Sequence, residues 1–176
     1  MDKVLWEKAV VFHGHQCPGL AIGVKAAMIA MQRFQMDDSK DEDIVCVVEN
    51  DSCSVDGIQV LLGCTMGKGN LLYRPRGKQA FSFFNRTTGE SFRLCMRHDG
   101  RAQTMSRDDY MHYILEASDD DIFAVSKPRF ELPERARMFK SIICEKCGER
   151  AAEPTMHLQD GMVVCSDCFD HYDRGW

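Results

Sequence analysis

Two imidazoles and a thiol fall within five residues near the start of the chain, at His13, His15 and Cys17. Pro18 follows, and proline suits the first position of a helix because its missing N–H would be unpaired there anyway. Apolar residues then recur at three- and four-residue steps, which predicts a helix over residues 18–35 with Cys17 at its N-cap. The positive end of the helix dipole favours the thiolate, the form that binds metals or attacks electrophiles. In an extended approach to this helix the three side chains would share one side. The alternative is two surface histidines and one buried cysteine.

Cys53, like Cys17, comes after an apolar segment and a turn and lies at the start of a predicted helix. The continuous β-branched run at 44–48 predicts a buried strand, and a helix to Gly63 follows it. Asp51 or Ser52 would cap this helix, so Cys53 lies at its beginning. We therefore expect the two helix starts to face each other across a cleft.

The most glycine-rich stretch, residues 63–70, lacks the spacing of a nucleotide-binding P-loop, and Gly69 rather than Ser or Thr follows Lys68. A nucleoside triphosphate site is therefore not expected. What remains is a candidate anion site formed by Gly67, Lys68 and Gly69, with the thiol of Cys64 beside it.

The strongest signal is a set of two Cys-x-x-Cys pairs, and the four residues are Cys144, Cys147, Cys165 and Cys168. Four thiolates complete the closed tetrahedral shell of a structural zinc. Asp160-Gly161 predicts a hairpin between the pairs, and the second pair would open a short helix over 166–172. A knuckle, a hairpin and a helix are the plan of a treble-clef zinc finger. Four free thiols or a redox disulfide pair are the alternatives.

Composition places the chain among ordinary globular proteins. Its 176 residues carry a net charge of −5, and from residue 144 onward three basic residues face seven acidic ones. No global basic surface is therefore expected, and nucleic acid is an improbable partner. The charged N-terminal residues do not resemble a signal peptide, and no apolar run is long enough for a membrane span. We expect a cytoplasmic protein, in which nine cysteines serve as thiols or metal ligands.

The sequence predicts a core domain over 1–131, a linker over 132–142 and a four-cysteine zinc finger over 143–176. Strand-like segments at 78–84 and 90–97 flank a turn, and Ser106 begins a further helix. The acidic run at 119–121 is typical of a solvated turn.

Residues 12–23 and 53–71 resemble the two signature motifs of the FmdE family, which takes its name from a component of formylmethanofuran dehydrogenase. The resemblance covers roughly residues 6–130. It implies an α+β core of helices packed on a mainly antiparallel sheet, with the zinc finger as a frequent C-terminal addition. It also implies an intertwined homodimer, a metal-binding cleft, and association with a molybdenum- or tungsten-dependent oxidoreductase of methanogenesis. By motif it carries over His15, Cys17, Cys53 and Cys64, with His13, Asp56 and Lys68 nearby.

Together these features predict a core metal site of His15, Cys17, Cys53 and Cys64. The alternative for Cys53 and for Cys64 is a small, buried hydrophobic residue. One imidazole with several thiolates suits zinc, iron or nickel. Cys17, Cys53 and Lys68 are the candidate catalytic residues, with Lys68 holding an anionic substrate. Two alternatives remain: a thiol–disulfide redox protein using Cys17 and Cys53, and a regulator or assembly factor whose finger docks a partner.

Overall fold

The computed structural model describes residues 2–36, 43–172 and 174. The chain divides into two compact units, residues 1–136 and 137–176. The predicted linker over 132–142 spans the division between them. In the part of the chain that the structure describes, no helix is both long and apolar enough to cross a membrane.

The first unit combines helices with a five-stranded sheet. Its helices are α1 (Lys3–His13), α2 (Pro18–Arg33), α3 (Ser54–Leu62), α4 (Arg101–Thr104), α5 (Arg107–Glu116) and α6 (Asp119–Ile122). Its strands are β1 (Ile44–Val48), β2 (Leu71–Tyr73), β3 (Ala80–Asn85), β4 (Ser91–Met96) and β5 (Phe123–Ser126). The strand order is β2-β1-β3-β4-β5, with β1 and β2 parallel and every other pair antiparallel. This arrangement confirms the predicted α+β fold on a mainly antiparallel sheet.

The hydrophobic core lies between one face of the sheet and the helices. Successive strand residues point to opposite faces, so Phe81 and Phe83 of β3 and Phe92 of β4 share the face that packs on the helices. Helix α2 is central to this core, and most of its residues are buried.

Glycines allow α2 and α3 to cross with their backbones nearly in contact. A Cβ atom at Gly23 would lie 2.6 Å from the carbonyl carbon of Ser54, and one at Gly57 would lie 2.6 Å from the amide nitrogen of Val24. Each helix therefore depends on a missing side chain where it meets the other. Because the crossing involves the first turns of α3, it brings the start of α3 close to the start of α2.

A buried ion pair stands on the other face of the sheet. Arg93 of β4 donates from Nε to Glu49 at 2.6 Å and from a terminal nitrogen at 3.0 Å, and both side chains are almost fully enclosed. Burial alone raises the pKa of Glu49, but the hydrogen bonds and charge of Arg93 outweigh that effect and hold it below its usual value.

Several local predictions need correction. Helix α1 runs to His13, so that histidine belongs to a helix rather than to an extended loop. Cys53 itself occupies the N-cap of α3, in place of Asp51 or Ser52. The acidic run at 119–121 forms the short helix α6, because the hydroxyl of Ser118 caps it. The predicted polar connector over 36–43 lies mostly outside the described residues.

The second unit consists of two small hairpins. Strands β6 (Ser141–Ile143) and β7 (Arg150–Ala152) form one, and β8 (Met156–Gln159) and β9 (Met162–Cys165) form the other. Asp160 and Gly161 both have positive φ, so the predicted Asp-Gly turn between β8 and β9 is confirmed. The helix predicted over 166–172 is wrong, since residues 166–168 form a turn and the described residues 169–172 have no regular structure.

Candidate functional site

A cluster of metal-ligating side chains forms where α1 ends and α2 begins. One ligand atom from each of His13, His15 and Cys17 lies within 4.8 Å of the other two. The Nε2 atom of His13 is 3.7 Å from the sulfur of Cys17. Two ligands bound tetrahedrally to one zinc-sized ion, at about 2.0 Å for nitrogen and about 2.3 Å for sulfur, lie about 3.5 Å apart. The cluster therefore has the spacing of a metal site.

Two local features hold this cluster together. Gly14 ends α1 in a left-handed conformation, with φ of 90°, which lets the chain turn directly into the cluster. Cys17 is the N-cap of α2, where its sulfur accepts a hydrogen bond from the amide of Leu20 at 3.3 Å. The predicted position of Cys17 at the N-cap of α2 is thus confirmed.

Asp56 fixes the orientation of His13. Its Oδ2 lies 2.7 Å from Nδ1 of His13, while its Oδ1 accepts a hydrogen bond from Gln59. With Nδ1 occupied, His13 presents Nε2 towards Cys17. A carboxylate that holds the second nitrogen of a histidine is the usual outer partner of a metal-bound imidazole.

Cys53, the N-cap of α3, lies beside the cluster. Its sulfur and the sulfur of Cys17 both border Gly19. Burial raises the pKa of the Cys53 thiol, and the neighbouring Cys17 raises it further. A Cβ added at Gly19 would lie 3.7 Å from the Cys53 sulfur and 3.8 Å from the Cys17 sulfur, so glycine leaves the two thiols room to meet. The two helix starts converge, as the repeated sequence pattern led us to expect.

An open cavity of about 410 Å³ adjoins the cluster. His13, Cys53 and Asp56 form its reactive wall, and the remaining described residues of its lining are Val48, Asn50, Asp51, Ser52, Val55, Met66, Leu71 and Tyr73.

Cys64 is not part of the cluster, which corrects the predicted ligand set. Its fully buried thiol lies 3.4 Å from the carbonyl oxygen of Ile44, at the first residue of β1, whereas Cys53 follows the other end of that strand. Five strand residues separate these ends by about 13 Å. Burial raises the pKa of Cys64 to about 12, so it is a core thiol. This matches the alternative of a small buried residue rather than the predicted ligand.

Lys68 and its flanking glycines are also placed differently from the prediction. The charge of Lys68 acts on Cys64, and Lys68 is not among the described residues lining the cavity. The amide of Lys68 donates to the hydroxyl of Thr65, and the amide of Gly69 donates to the carbonyl of Met66. These internal hydrogen bonds use two of the three amides that an anion site at Gly67, Lys68 and Gly69 would need.

The four cysteines of the second unit form the other cluster. The sulfurs of Cys144, Cys147, Cys165 and Cys168 all lie within 4.8 Å of one another. The sulfurs of Cys147 and Cys165 are 3.8 Å apart, the separation expected of two thiolates on one tetrahedral ion. Backbone N–H groups of Cys147 and Cys165 lower the pKa of Cys144 to about 6. The pairing of the two Cys-x-x-Cys motifs in space agrees with the sequence prediction.

His13 belongs to the cluster itself and Asp56 holds it, although the sequence motifs placed both residues only near the site. The four-residue step from His13 to Cys17 is visible in the sequence, but the 43 residues between His13 and Asp56 hide their contact. The spacing Gly19-x-x-x-Gly23 was a readable signal for a close helix crossing.

The core cluster lies within the part of the chain that a family model matches. The model of the family described as "FmdE, Molybdenum formylmethanofuran dehydrogenase operon" matches residues 12–124, which include the whole core cluster. The chain belongs to the FmdE family. The resemblance of the two motifs to this family is thereby confirmed.

Two similar proteins add to the comparison. The FmdE chain is 30% identical over 195 residues to a "Probable S-adenosyl-L-methionine-binding protein" of Archaeoglobus fulgidus, a match that covers 94% of this chain and 52% of the relative. The chain thus spans about half the length of that curated relative. A crystal structure of a tungsten formylmethanofuran dehydrogenase FmdE-like protein from Syntrophus aciditrophicus matches with a TM-score of 0.67 at 22% identity, covering 94% of this chain and 90% of that one. This second likeness supports the fold.

Proposed function

We propose that this FmdE protein binds a transition metal in its core through His13, His15 and Cys17, with Cys53 beside them. The observation that carries the proposal is the convergence of three ligand atoms within 4.8 Å, one of them on a histidine already oriented by Asp56. Imidazole and thiolate together suit zinc, iron or nickel. Three ligands leave a fourth position for Cys53 or for a substrate, which is the pattern of catalytic rather than structural sites.

The second unit would hold a structural zinc through its four cysteines. A set of four thiolates is the closed shell that structural zinc prefers. Two hairpins whose strands have only three or four residues cannot bury a substantial hydrophobic core. Metal binding would therefore supply much of the folding free energy of this unit.

In the cell, we propose a cytoplasmic accessory protein of a molybdenum- or tungsten-dependent oxidoreductase. The family's description, which names a formylmethanofuran dehydrogenase operon, supports this role. The second unit exposes apolar side chains that would suit docking on such an enzyme, among them Ile143 at 54% and Leu158 at 75% exposure.

A homodimer is the proposed assembly. Val4, Val11 and Phe12 of α1 are 73%, 84% and 55% exposed, an unusual amount of apolar surface for one short helix. Light scattering behind size exclusion should give twice the chain mass, and Val11→Glu should shift the protein towards the monomer. A wild-type protein of single-chain mass at all concentrations would refute the dimer.

Metal analysis tests the core site. Purified protein should carry two metal ions per chain, and the double variant Cys17→Ala, Cys53→Ala should carry one, retained by the four C-terminal cysteines. Cys64→Ala is the matched control, because its thiol is buried away from the cluster and should leave the count at two. Equal metal content in the wild type and the double variant would refute the core site.

A thiol–disulfide redox protein is the second candidate, because the sulfurs of Cys17 and Cys53 both border Gly19. In that role the two thiols would lose two protons and two electrons to a disulfide such as oxidised glutathione, which would be reduced to two thiols. Counting thiols in metal-free protein before and after this treatment should show a reversible loss of two. Loss of two thiols from native protein that never carried a core metal would favour this candidate over the first.

A further inference from the structure

We propose that the cavity beside the core cluster binds an organic ligand with an apolar body and a cationic amine. The proposal rests on the proposed metal site, because two residues of that site, His13 and Cys53, form one wall of the cavity.

The size and walls of the cavity suit a small organic molecule. Its volume of about 410 Å³ falls within the range of small-molecule pockets. Val48 and Leu71 are buried at its inner side, Val55 is half-buried, and Met66 and Tyr73 are more exposed. An apolar or aromatic body of the ligand would displace water from these side chains, which favours binding.

The charged residues around the cavity favour a ligand with a positive charge. Asp51 and Asp56 are both in the lining, and none of the described lining residues is Lys or Arg. With Cys53 in the fourth position of the proposed site, its thiolate and that of Cys17 would balance the charge of a divalent ion, and the two carboxylates would remain as net negative charge. Both oxygens of Asp56 already accept hydrogen bonds, whereas Asp51 is exposed, so Asp51 is the natural partner of an incoming ammonium group.

The start of α3 does not reverse this preference. A helix N-terminus attracts anions through amides that have no partner in the helix. Here the amide of Val55 donates to the carbonyl of Ser52, and the amide of Asp56 donates to the carbonyl of Cys53. These two first-turn amides already have partners within the chain. The carboxylates of Asp51 and Asp56 therefore determine which ligand charge the cavity favours.

Three naphthalene probes of similar size test the proposal on the metal-loaded chain of residues 1–176: 2-naphthylmethylamine, 2-naphthylmethanol and 2-naphthoate. Equilibrium dialysis should rank them amine, alcohol, carboxylate, with the amine bound at least about tenfold more tightly than the carboxylate. Binding of the carboxylate equal to or tighter than that of the amine overturns the charge assignment. Absence of binding by all three overturns the cavity as a ligand site.

Two variants locate the binding. Asp51→Asn should reduce the affinity for the amine several-fold and leave the alcohol unchanged; an unchanged amine affinity overturns the role of Asp51. Tyr73→Ala removes a partly exposed ring from the wall and should weaken all three probes alike; unchanged binding places the probes elsewhere and overturns the proposal. Metal content is measured on every sample. Protein without core metal defeats the proposed function itself, whereas failed probe binding at two metals per chain defeats only the ligand proposal.

Discussion

Replacing Gly23 by alanine should separate the two helix starts that build the core site. The added Cβ would lie 2.6 Å from the carbonyl carbon and 2.8 Å from the Cα of Ser54, and nearer still to its carbonyl oxygen. Carbon atoms pack at about 3.5–4.0 Å, so the overlap with each carbon is roughly 1 Å. Backbone atoms of Ser54 cannot rotate away, and α3 must shift as a body.

The shift of α3 should lower the free energy of unfolding. Overpacking a well-packed contact destabilises by about 1–3 kcal/mol, and occasionally more. Alanine in a helix regains about 1 kcal/mol over glycine. We expect the clash to win, with a net loss of about 2 kcal/mol, because the contact is backbone against backbone. A displacement of Cys53 by roughly the same 1 Å as the overlap should also lengthen its contact with Cys17.

Urea unfolding followed by circular dichroism measures the first effect, and metal content measures the second. Gly67→Ala is the control, since a Cβ there meets no described atom within 4 Å and its φ is not positive. Gly23→Ala should lose stability and core metal while Gly67→Ala keeps both. A Gly23→Ala protein with the wild-type urea midpoint and two metals per chain would refute the reasoning.

Three further predictions concern the ion pairs and the ligands. Asp56→Asn should weaken core metal affinity about 10- to 100-fold in competition with a chromophoric chelator, because the carboxylate orients the ligating histidine; an unchanged affinity would exclude that role. The pKa of Glu49 is lowered in the folded protein, so its stabilising contribution is present above its ordinary pKa of about 4.5 and is lost as pH falls below it. Glu49→Gln should lower the free energy of unfolding at pH 7 by about 3–5 kcal/mol, because Arg93 would be buried without its charged partner. The urea unfolding midpoint of the variant should also fall less steeply than that of the wild type as the pH is lowered below about 4.5. A variant whose midpoint depends on pH as the wild type's does would contradict this. Cys147→Ser should release one metal and expose residues 137–176 to protease, whereas Cys95→Ser, outside both clusters, should do neither.

Local signals in the sequence were sufficient where the chain's own chemistry decided the structure. Pro18 after Cys17 located the start of α2, the β-branched run located β1, and Asp160-Gly161 located a hairpin turn. The pairing of the four C-terminal cysteines followed from their spacing. Each of these depends on a few neighbouring residues, so one sequence contains the information.

Contacts between distant segments were beyond such signals. Cys64 and Cys53 look equivalent in the sequence, but only the structure shows that β1 separates them by its whole length. The three-residue strand β2 is too short to show a periodicity, and it forms only because β1 offers a parallel partner. The link between Asp56 and His13 depends on the glycine crossing of α2 and α3, which local patterns do not encode.

The central claim is that His13, His15 and Cys17 hold a metal ion distinct from the one at the four C-terminal cysteines. Anomalous diffraction from crystals of the metal-loaded protein, measured across the zinc, iron and nickel absorption edges, tests it most directly. We predict a peak at about 2.0–2.3 Å from the sulfur of Cys17 and from Nε2 of His13, in addition to a peak among the four cysteines. A single peak per chain, confined to Cys144, Cys147, Cys165 and Cys168, would contradict the claim.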